Sequence, residues 1–379
     1  MRVAIDCRYV RERPSGIGAY VEALIARLPA LAPEVNFLLW AHRRAPQPLS
    51  SAANVQAAVV APEPNSLWTL LWPARYGPLA AVDVIHAAHT VLPRRLTMAT
   101  VATIHDLLAL ENPHLHRRGW DGVIKRFYYP GAVWRALNYA TRLVATTSAM
   151  ADRILRLQPD ARARTVVIPL ATDPIFRPSS DRAELDRRVQ GLLGTSSPYF
   201  LVVGQNSASK RHDDAIRAFA AAAPVPWRLV LLQRQAIGNP LAALAASLHI
   251  ADRVSWLPGV GRADLVRLLQ GAGALLQPSA YEGFGLPVVE AMACGCPAIV
   301  SDLTTLREVV AGAAVRFPPG DLEALASSIA LVSGSADLRS ELSARGLERA
   351  SFFSWDNCAR DTLAVYRDAA AIGGHGRFR

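Results

Sequence analysis

The chain has 379 residues, of which 51% are hydrophobic, and a mean hydropathy of +0.17. This length is sufficient for two domains with buried cores, and this composition excludes global disorder. The 41 basic and 31 acidic residues give a net charge of +10, which favours nucleic acid, an anionic lipid surface or a phosphate-bearing substrate as partner. Because the sequence contains no RNP-like or zinc-finger motif, we expect no nucleic-acid partner.

Membrane spans, targeting signals and metal sites are not expected either. No apolar run reaches about 18 residues, and the chain opens directly on a strand-like segment rather than a signal peptide, which favours a cytoplasmic location. The sequence contains no Asp-x-Asp pair that could bridge a metal ion and a diphosphate. The four cysteines show neither zinc-ligand nor disulfide spacing: Cys7, Cys294, Cys296 and Cys358.

Short apolar runs alternate with helical patterns through both halves of the chain, which predicts an α/β protein with two Rossmann-like domains built on parallel sheets. A proline-rich and charged segment, residues 169–194, separates the halves. We therefore predict domains at 1–180 and 181–354, with a last helix at 355–371. The predicted strands are 3–6, 36–40, 84–86, 101–105, 143–146, 199–203, 228–232, 254–256, 274–277 and 298–300.

In the first half, candidate functional groups follow two predicted strands. After strand 3–6, a loop contains Gly16 and Gly18, whose backbone amides could approach a phosphate or simply form a tight turn. The third glycine of a dinucleotide fingerprint is missing, so an NAD-dependent oxidoreductase is a weak alternative. His105 ends strand 101–105, where α/β proteins place functional groups, and Asp106 follows it.

Aromatic and basic residues are interspersed at 117–129, and Trp68 and Trp72 lie one helical turn apart. One interpretation is an interfacial surface that brings the protein to a lipid-linked acceptor on an anionic membrane. Ordinary aromatic packing beneath a solvated basic face is the favoured alternative.

In the second half, strand 199–203 ends at Gly204 and leads through a polar loop to Lys210, Arg211 and a predicted helix from Asp213. Two cations beside a helix N-terminus predict a diphosphate clamp, because the free backbone amides there also favour an anion. A solvated basic loop is the alternative.

The segment 281–298 contains two acids, Glu282 and Glu290, around a glycine-rich turn and a short predicted helix. Pro287 suits the first helical position and Gly295 the position after the last, which predicts Glu290 in the first turn near the free amides. Amides that bind phosphate and carboxylates that accept hydrogen bonds from sugar hydroxyls together indicate a nucleotide-sugar site.

This Glu282-to-Glu290 segment resembles the E-x7-E segment of retaining glycosyltransferases of the GT-B architecture, specifically glycosyltransferase family 4. The resemblance continues through residues 277–280, 299–302, 304–310 and 317–321, and through 167–178 between the halves. It implies two Rossmann-like domains facing across a cleft, with the C-terminal helix crossing back to the N-terminal domain.

The resemblance also implies residue roles. Glu290 would bind the ribose, Lys210 would stabilise the departing diphosphate, and His105 would line the sugar pocket. Glu282 would hold the donor sugar and its phosphates together with the backbone amides of Gly283, Phe284, Gly285 and Leu286, while Gly16 and Gly18 would face the cleft. Gln205 stands where the family often has an arginine, which puts the second cation in doubt, so we hypothesise that Arg211 supplies it.

The expected function is therefore transfer of a sugar, with retention and without a metal or other cofactor, from GDP-mannose or a UDP-sugar to a hydroxyl of a glycan or lipid-linked acceptor. Front-face displacement is the mechanism that the resemblance implies. One alternative is a GT-B nucleotide-sugar epimerase, which would need further acids and bases. Another is a non-catalytic subunit of a polysaccharide assembly complex, against which the intact Lys210, Glu282 and Glu290 argue.

Overall fold

A computed structural model describes residues 1–11, 15–46, 48–71, 81–115, 120–233 and 240–373, with the backbone alone for 120–127. The chain divides into two compact units, Met1–Ala171 with Ser354–Arg379, and Thr172–Phe353. The boundary between the units falls between Ala171 and Thr172, earlier in the chain than the predicted boundary near residue 180. The two α/β units confirm the predicted fold class.

The first unit is built on a parallel sheet with the strand order β3-β2-β1-β4-β5-β6-β7 in the described residues. Its strands are β1 (Arg2–Asp6), β2 (Asn36–Ala41), β3 (Val55–Val59), β4 (Val84–Ala87), β5 (Ala99–Ile104), β6 (Arg142–Ala145) and β7 (Thr165–Val167). Its helices before the crossing are α1 (Gly16–Ile25), α2 (Leu28–Leu31), α3 (Leu67–Leu71), α4 (Leu108–Glu111), α5 (Trp120–Tyr139) and α6 (Ser148–Leu157). Short 3-10 turns cover Pro113–Leu115 and Pro159–Arg164.

The second unit contains a parallel sheet with the order β10-β9-β8-β11-β12-β13 in the part of the chain that is described. Its strands are β8 (Tyr199–Val203), β9 (Arg228–Gln233), β10 (Val254–Pro258), β11 (Ala274–Gln277), β12 (Ala298–Ser301) and β13 (Val315–Phe317). Its helices are α7 (Arg182–Leu193), α8 (His212–Ala222), α9 (Pro240–Ser247), α10 (Arg262–Gly271), α11 (Leu286–Ala293), α12 (Thr304–Val310), α13 (Leu322–Gly334) and α14 (Ala336–Ala350), with a 3-10 turn at Ala251–Arg253.

The last helix, α15 (Trp355–Ile372), belongs to the first unit, although the chain reaches it from the second. Ser354 caps its N-terminus by accepting hydrogen bonds from the amides of Asp356 and Asn357. Tyr366 is fully buried, and its hydroxyl lies 2.6 Å from Nδ1 of His86 on β4. Because both partners are inaccessible, this hydrogen bond helps to fix α15 to the first sheet.

The central strands of both sheets are buried along almost their whole length, which is why they read as uninterrupted apolar runs in the sequence. All strand pairs are parallel, so the loops after the strands of one sheet lie at the same edge. This arrangement gathers the candidate residues of each unit at the carboxyl edge of its sheet.

The predicted crossing segment 169–194 is only partly irregular. Asp181 caps α7 by accepting a hydrogen bond from the amide of Glu184, and Gly194, at φ +68°, ends it. The charged stretch that was predicted to cross between the domains is thus largely a helix of the second unit. Its ends are marked by the capping residues Asp181 and Gly194 and not by a periodic apolar pattern. None of the helices in the described ranges combines the length and the apolar character that a membrane span requires.

Candidate active site

Glu282 lies in the loop between β11 and α11 and accepts three hydrogen bonds. The Nζ atom of Lys210 lies 2.6 Å from Glu282 Oε1, the Ser279 hydroxyl donates to the same oxygen at 2.7 Å, and the Gln277 amide does so at 2.5 Å. The side chain of Glu282 is 8% exposed and that of Lys210 27%. Among the described residues, all three hydrogen bonds to this carboxylate end on Oε1 and none ends on Oε2.

The backbone on either side of Glu282 is fixed by α12. The Thr305 hydroxyl donates a hydrogen bond of 2.9 Å to the carbonyl oxygen of Glu282. Gly285 adopts φ +101°, which strains any residue with a side chain, and a Cβ atom there would also lie 2.6 Å from Cδ2 of Leu306. These contacts fix the conformation of the loop 283–285, as expected of a preorganised binding loop.

Helix α11 begins one residue earlier than the sequence predicts. Gly285 is its N-cap, Leu286 its first residue and Pro287 its second. Glu290 is therefore the fifth helical residue, and the prediction that it lies in the first turn is wrong. The positive φ of Gly285 starts the helix before the proline, whereas Gly295, at φ +73°, follows its end as predicted.

Glu290 is half-buried, and burial raises its pKa from 4.5 to about 7. Two groups of the same unit modify this effect: Arg262 lowers the pKa and Asp173 raises it. Arg262 is itself paired with Asp173, at 3.1 Å between Nη1 and Oδ2. Glu290 therefore changes charge close to neutral pH, within a small group of charged side chains that the sequence did not single out.

The two cations of the expected clamp are both engaged within the second unit. Arg211 follows Lys210 and adopts φ +49°, a conformation that side-chain-bearing residues rarely take. Its Nε atom lies 2.5 Å from Oδ2 of Asp214, and a Cβ atom on Gly320 would lie 2.9 Å from its Nη1. The Arg211 guanidinium is thus paired with a carboxylate and packed against a glycine of the loop after β13.

Gly16 and Gly18 are helical residues and not loop residues, which corrects the sequence interpretation. Helix α1 begins at Gly16, and Ser15 caps it by accepting a hydrogen bond from the Gly18 amide at 3.0 Å. A Cβ atom on Gly18 would lie 2.7 Å from the carbonyl oxygen of Tyr9. The absence of a side chain at Gly18 therefore allows α1 to pack closely against the backbone of Tyr9, in the segment that follows β1.

His105 directly follows β5 in the first unit. Its Nε2 lies 3.0 Å from the carbonyl oxygen of Ala88, and its ring packs edge-on against Tyr20. Burial lowers the pKa of His105 to about 4, so the ring is neutral at pH 7. Nε2 donates to the carbonyl, which leaves Nδ1 as an acceptor. The Asp106 carboxylate accepts a hydrogen bond from the amide of Leu108, two residues along the chain.

A buried ionic cluster lies at the end of β1, where no sequence pattern predicts one. Asp6 is 3% exposed and Arg8 is fully buried, with the Arg8 Nη2 atom 2.5 Å from Asp6 Oδ2. His89 Nε2 lies 3.0 Å from the same oxygen. Burial alone would raise the pKa of Asp6, but the Arg8 guanidinium and the His89 ring outweigh it and hold that pKa well below its usual range. His86 and His89 are both buried core residues.

Other expected positions lie outside the described residues or show no site. Trp72, Arg117 and Arg118 are outside the described ranges, whereas Trp68 on α3 is 58% exposed. Within the described residues, no group of three His, Cys, Asp or Glu side chains is placed to hold a metal ion.

Comparison with known proteins accounts for most of the chain. Residues 185–349 match the family described as Glycosyl transferases group 1, and residues 14–175 match Glycosyltransferase Family 4. The D-inositol 3-phosphate glycosyltransferase of Acidothermus cellulolyticus is 32% identical over 312 residues, which are 76% of this chain and 68% of that protein. The chain belongs to the family 4 glycosyltransferases. It is therefore an enzyme that transfers a glycosyl group.

Two further likenesses agree with this family. The O-antigen chain mannosyltransferase B of Escherichia coli is 29% identical over 289 residues, 75% of this chain and 74% of that protein. The crystal structure of Anabaena Alr3699/HepE in complex with UDP-glucose has a TM-score of 0.70 at 18% identity and covers 97% of this chain and 100% of that one, which shows the GT-B fold. Several other inositol-phosphate glycosyltransferases match over little more than half of their length.

Proposed function

We propose that this glycosyltransferase moves a sugar from a nucleoside diphosphate to a hydroxyl of a glycan or lipid-linked acceptor, with retention of configuration and without a metal ion. The observation that carries the proposal is the Lys210–Glu282 pair, in which the ammonium group of a partly exposed lysine contacts Oε1 of the carboxylate and not Oε2. An ammonium group suits a diphosphate, and a carboxylate suits sugar hydroxyls.

Each part of the donor is assigned to a group of the second unit. Glu290, as a carboxylate, accepts hydrogen bonds from the ribose hydroxyls. Oε2 of Glu282 accepts one from a hydroxyl of the transferred sugar, and the amides of residues 283–286 at the start of α11 bind phosphate oxygens. Lys210 stabilises the charge that develops on the departing diphosphate.

Front-face displacement is proposed on the family resemblance, since the three hydrogen bonds to Oε1 of Glu282 leave its Oε2 outside them and do not decide between this mechanism and a covalent one. The bond between the anomeric carbon and the diphosphate oxygen breaks, the acceptor oxygen bonds to that carbon from the same face, and the acceptor proton passes to the departing diphosphate.

In the first unit, His105, Gly16 and Gly18 are proposed as donor contacts on the family resemblance alone. The neutral ring of His105 is suited to accept a hydrogen bond from a sugar hydroxyl through Nδ1. Replacing His105 with alanine should raise the donor KM while leaving binding of the free nucleotide unchanged. An equal loss for sugar nucleotide and free nucleotide would remove His105 from the sugar pocket.

The test of the function is a thermal-shift screen against a panel of nucleotide sugars, followed by product analysis. GDP-mannose and UDP-glucose come first, because one similar protein is named a mannosyltransferase and another is solved with UDP-glucose. A ligand at 100 times its Kd adds about 2.7 kcal/mol of stability. Epimerisation without an acceptor would favour an epimerase, and binding without turnover would favour a non-catalytic subunit.

We further propose that α3 contacts an anionic membrane that holds the acceptor. Leu67, Trp68 and Leu71 are exposed on this helix, and the amide of Arg94, another exposed residue, donates to the carbonyl of Leu70. Exposed apolar side chains on a helix whose neighbouring segment carries an exposed arginine favour an anionic lipid surface.

Co-sedimentation with phosphatidylglycerol vesicles tests this contact. Trp68→Ser should reduce the bound fraction, whereas Leu331→Ser, at a similarly exposed leucine on α13, should not. Equal binding of the two variants would remove α3 from the proposal.

A further inference from the structure

The predicted phosphate-binding loop, residues 204–211, contains two cations, and each of them already contacts a carboxylate of the protein. Lys210 is shared with Glu282, Arg211 is paired with Asp214, and Gln205 replaces the expected arginine. Each cation would therefore be shared between its carboxylate and a bound diphosphate, and a further donor beside the loop would strengthen phosphate binding. The residue that follows them, His212, offers one.

His212 is the first residue of α8, and its side chain is only 2% exposed. Its Nδ1 lies 2.9 Å from Nε2 of Gln233, the last residue of β9. Because an amide nitrogen can only donate, Nδ1 is the acceptor in this contact, and the proton of a neutral imidazole is then on Nε2.

The Nε2 atom of His212 is directed at the start of the phosphate loop. A Cβ atom on Gly204 would have this nitrogen as its nearest neighbour, at 3.9 Å, and Gly204 itself adopts φ +140°. In the part of the chain that the structure describes, no hydrogen bond ends on Nε2. The N–H group at Nε2 can therefore donate to a ligand atom beside Gly204.

We propose that His212 is a further donor-binding residue, whose Nε2–H group donates a hydrogen bond to the diphosphate of the nucleotide sugar beside Gly204. This inference rests on the proposed function, since it assigns a ligand contact within the same site. It combines an oriented donor on a buried side chain with the N-terminus of an 11-residue helix, where the helix dipole also favours an anion.

The charge of the ring is consistent with this role. Burial and, to a smaller extent, the neighbouring Lys210 together lower the pKa of His212 to about 4, against the opposing effect of Asp213 and Glu282. The ring is neutral at pH 7 and donates without adding a like charge next to Lys210. The neutral ring can therefore donate a hydrogen bond to a phosphate at a position where a further positive charge would be repelled by Lys210.

Two matched substitutions separate the donor at Nε2 from the buried contact at Nδ1. In His212→Gln, the amide nitrogen can occupy the position of Nε2, whereas in His212→Asn the shorter amide can occupy only the position of Nδ1. Binding of UDP and GDP to wild type and both variants is measured by titration calorimetry. The free energy of unfolding of each ligand-free variant is measured alongside.

We expect His212→Asn to weaken binding of the preferred nucleoside diphosphate about 10-fold or more, since hydrogen bonds to charged groups contribute about 1.5–3 kcal/mol. His212→Gln should stay within about threefold of wild type. Unchanged binding in His212→Asn would overturn the inference and leave the proposed function intact. Equal weakening in both variants, in step with their stability, would make His212 structural. A wild-type protein that binds no nucleoside diphosphate would overturn both proposals.

Discussion

Each unit holds an acid–base pair at the carboxyl edge of its sheet, and the two pairs differ in what surrounds them. Asp6 and Arg8 in the first unit are sealed, with side-chain exposures of 3% and 0%. Arg8 also donates to the Pro62 carbonyl and the Thr69 hydroxyl. Glu282 and Lys210 in the second unit are exposed by 8% and 27%, and Oε2 of Glu282 lies outside the pair.

The comparison distinguishes an ion pair that only stabilises the fold from one that can also contact a ligand. A buried ion pair whose donors are all used by protein atoms holds segments together but offers nothing to a substrate. A pair in which the lysine side chain is partly exposed and one carboxylate oxygen lies outside the pair can exchange part of its contacts for a ligand. The sealed pair should therefore control stability, and the open pair should control catalysis.

The largest effect is expected from Arg8→Met, which removes the cation and leaves the Asp6 carboxylate buried. Breaking a buried pair on one side costs about 3–5 kcal/mol, and the variant should unfold at a correspondingly lower denaturant concentration. Arg11→Met is the matched control, because its pair with Glu63 is partly exposed and should change stability by about 1 kcal/mol at most. Similar losses in both variants would refute the distinction between sealed and open pairs.

Lys210→Met should lower activity strongly and stability only slightly, the reverse of what is expected for Arg8→Met. Removing one electrostatic contact to a developing anion typically lowers kcat by about 10²–10³-fold. Stability should fall by less than in Arg8→Met, because Gln277 and Ser279 still donate to Glu282 Oε1. Initial rates and chemical denaturation measured on the same preparation test the pattern, with Arg187→Met in the exposed Arg187–Glu184 pair as control. Full activity in Lys210→Met would contradict its role at the diphosphate.

The parallel strands inside each sheet were predictable from the sequence, whereas three edge strands were missed. Strands β3, β7 and β13 lie at sheet edges and are largely half-buried or exposed, so they lack the continuous apolar run that marks a strand covered on both faces. Strand β3, Val-Gln-Ala-Ala-Val, contains only two strongly apolar residues. Its place is set by its pairing with β2, which local sequence does not encode.

In the site, the sequence identified the residues of the second unit but not their contacts. Lys210 and Glu282 are 72 positions apart, and only the adjacency of β8 and β11 brings their loops together. Arg211 with Asp214 could have been foreseen, because charges three residues apart lie on one face near a helix start. His212 could not, since burial of a polar side chain at the first helical position leaves no local pattern.

Glu290 gives the smallest and most specific test, because its charge depends on pH in the neutral range. Its folded-state pKa of about 7 lies above its ordinary 4.5, so the ligand-free protein holds an extra proton between these values. The stability that this proton contributes is present below pH 4.5 and is lost as the pH rises through 7.

Ribose binding by the carboxylate has the opposite dependence, since it requires the proton to leave. Donor affinity of the wild type should therefore fall as the pH drops from 8 to 6. Glu290→Gln should weaken donor binding by about tenfold at pH 8 and hardly at all at pH 6, because a neutral amide then replaces a carboxyl that is itself mostly protonated. The ratio of the two Kd values at each pH cancels the titration of other groups. If this ratio stays constant from pH 6 to pH 8, donor binding does not depend on the charge of Glu290. The carboxylate of Glu290, unlike that of Glu282, would then have no role in the site.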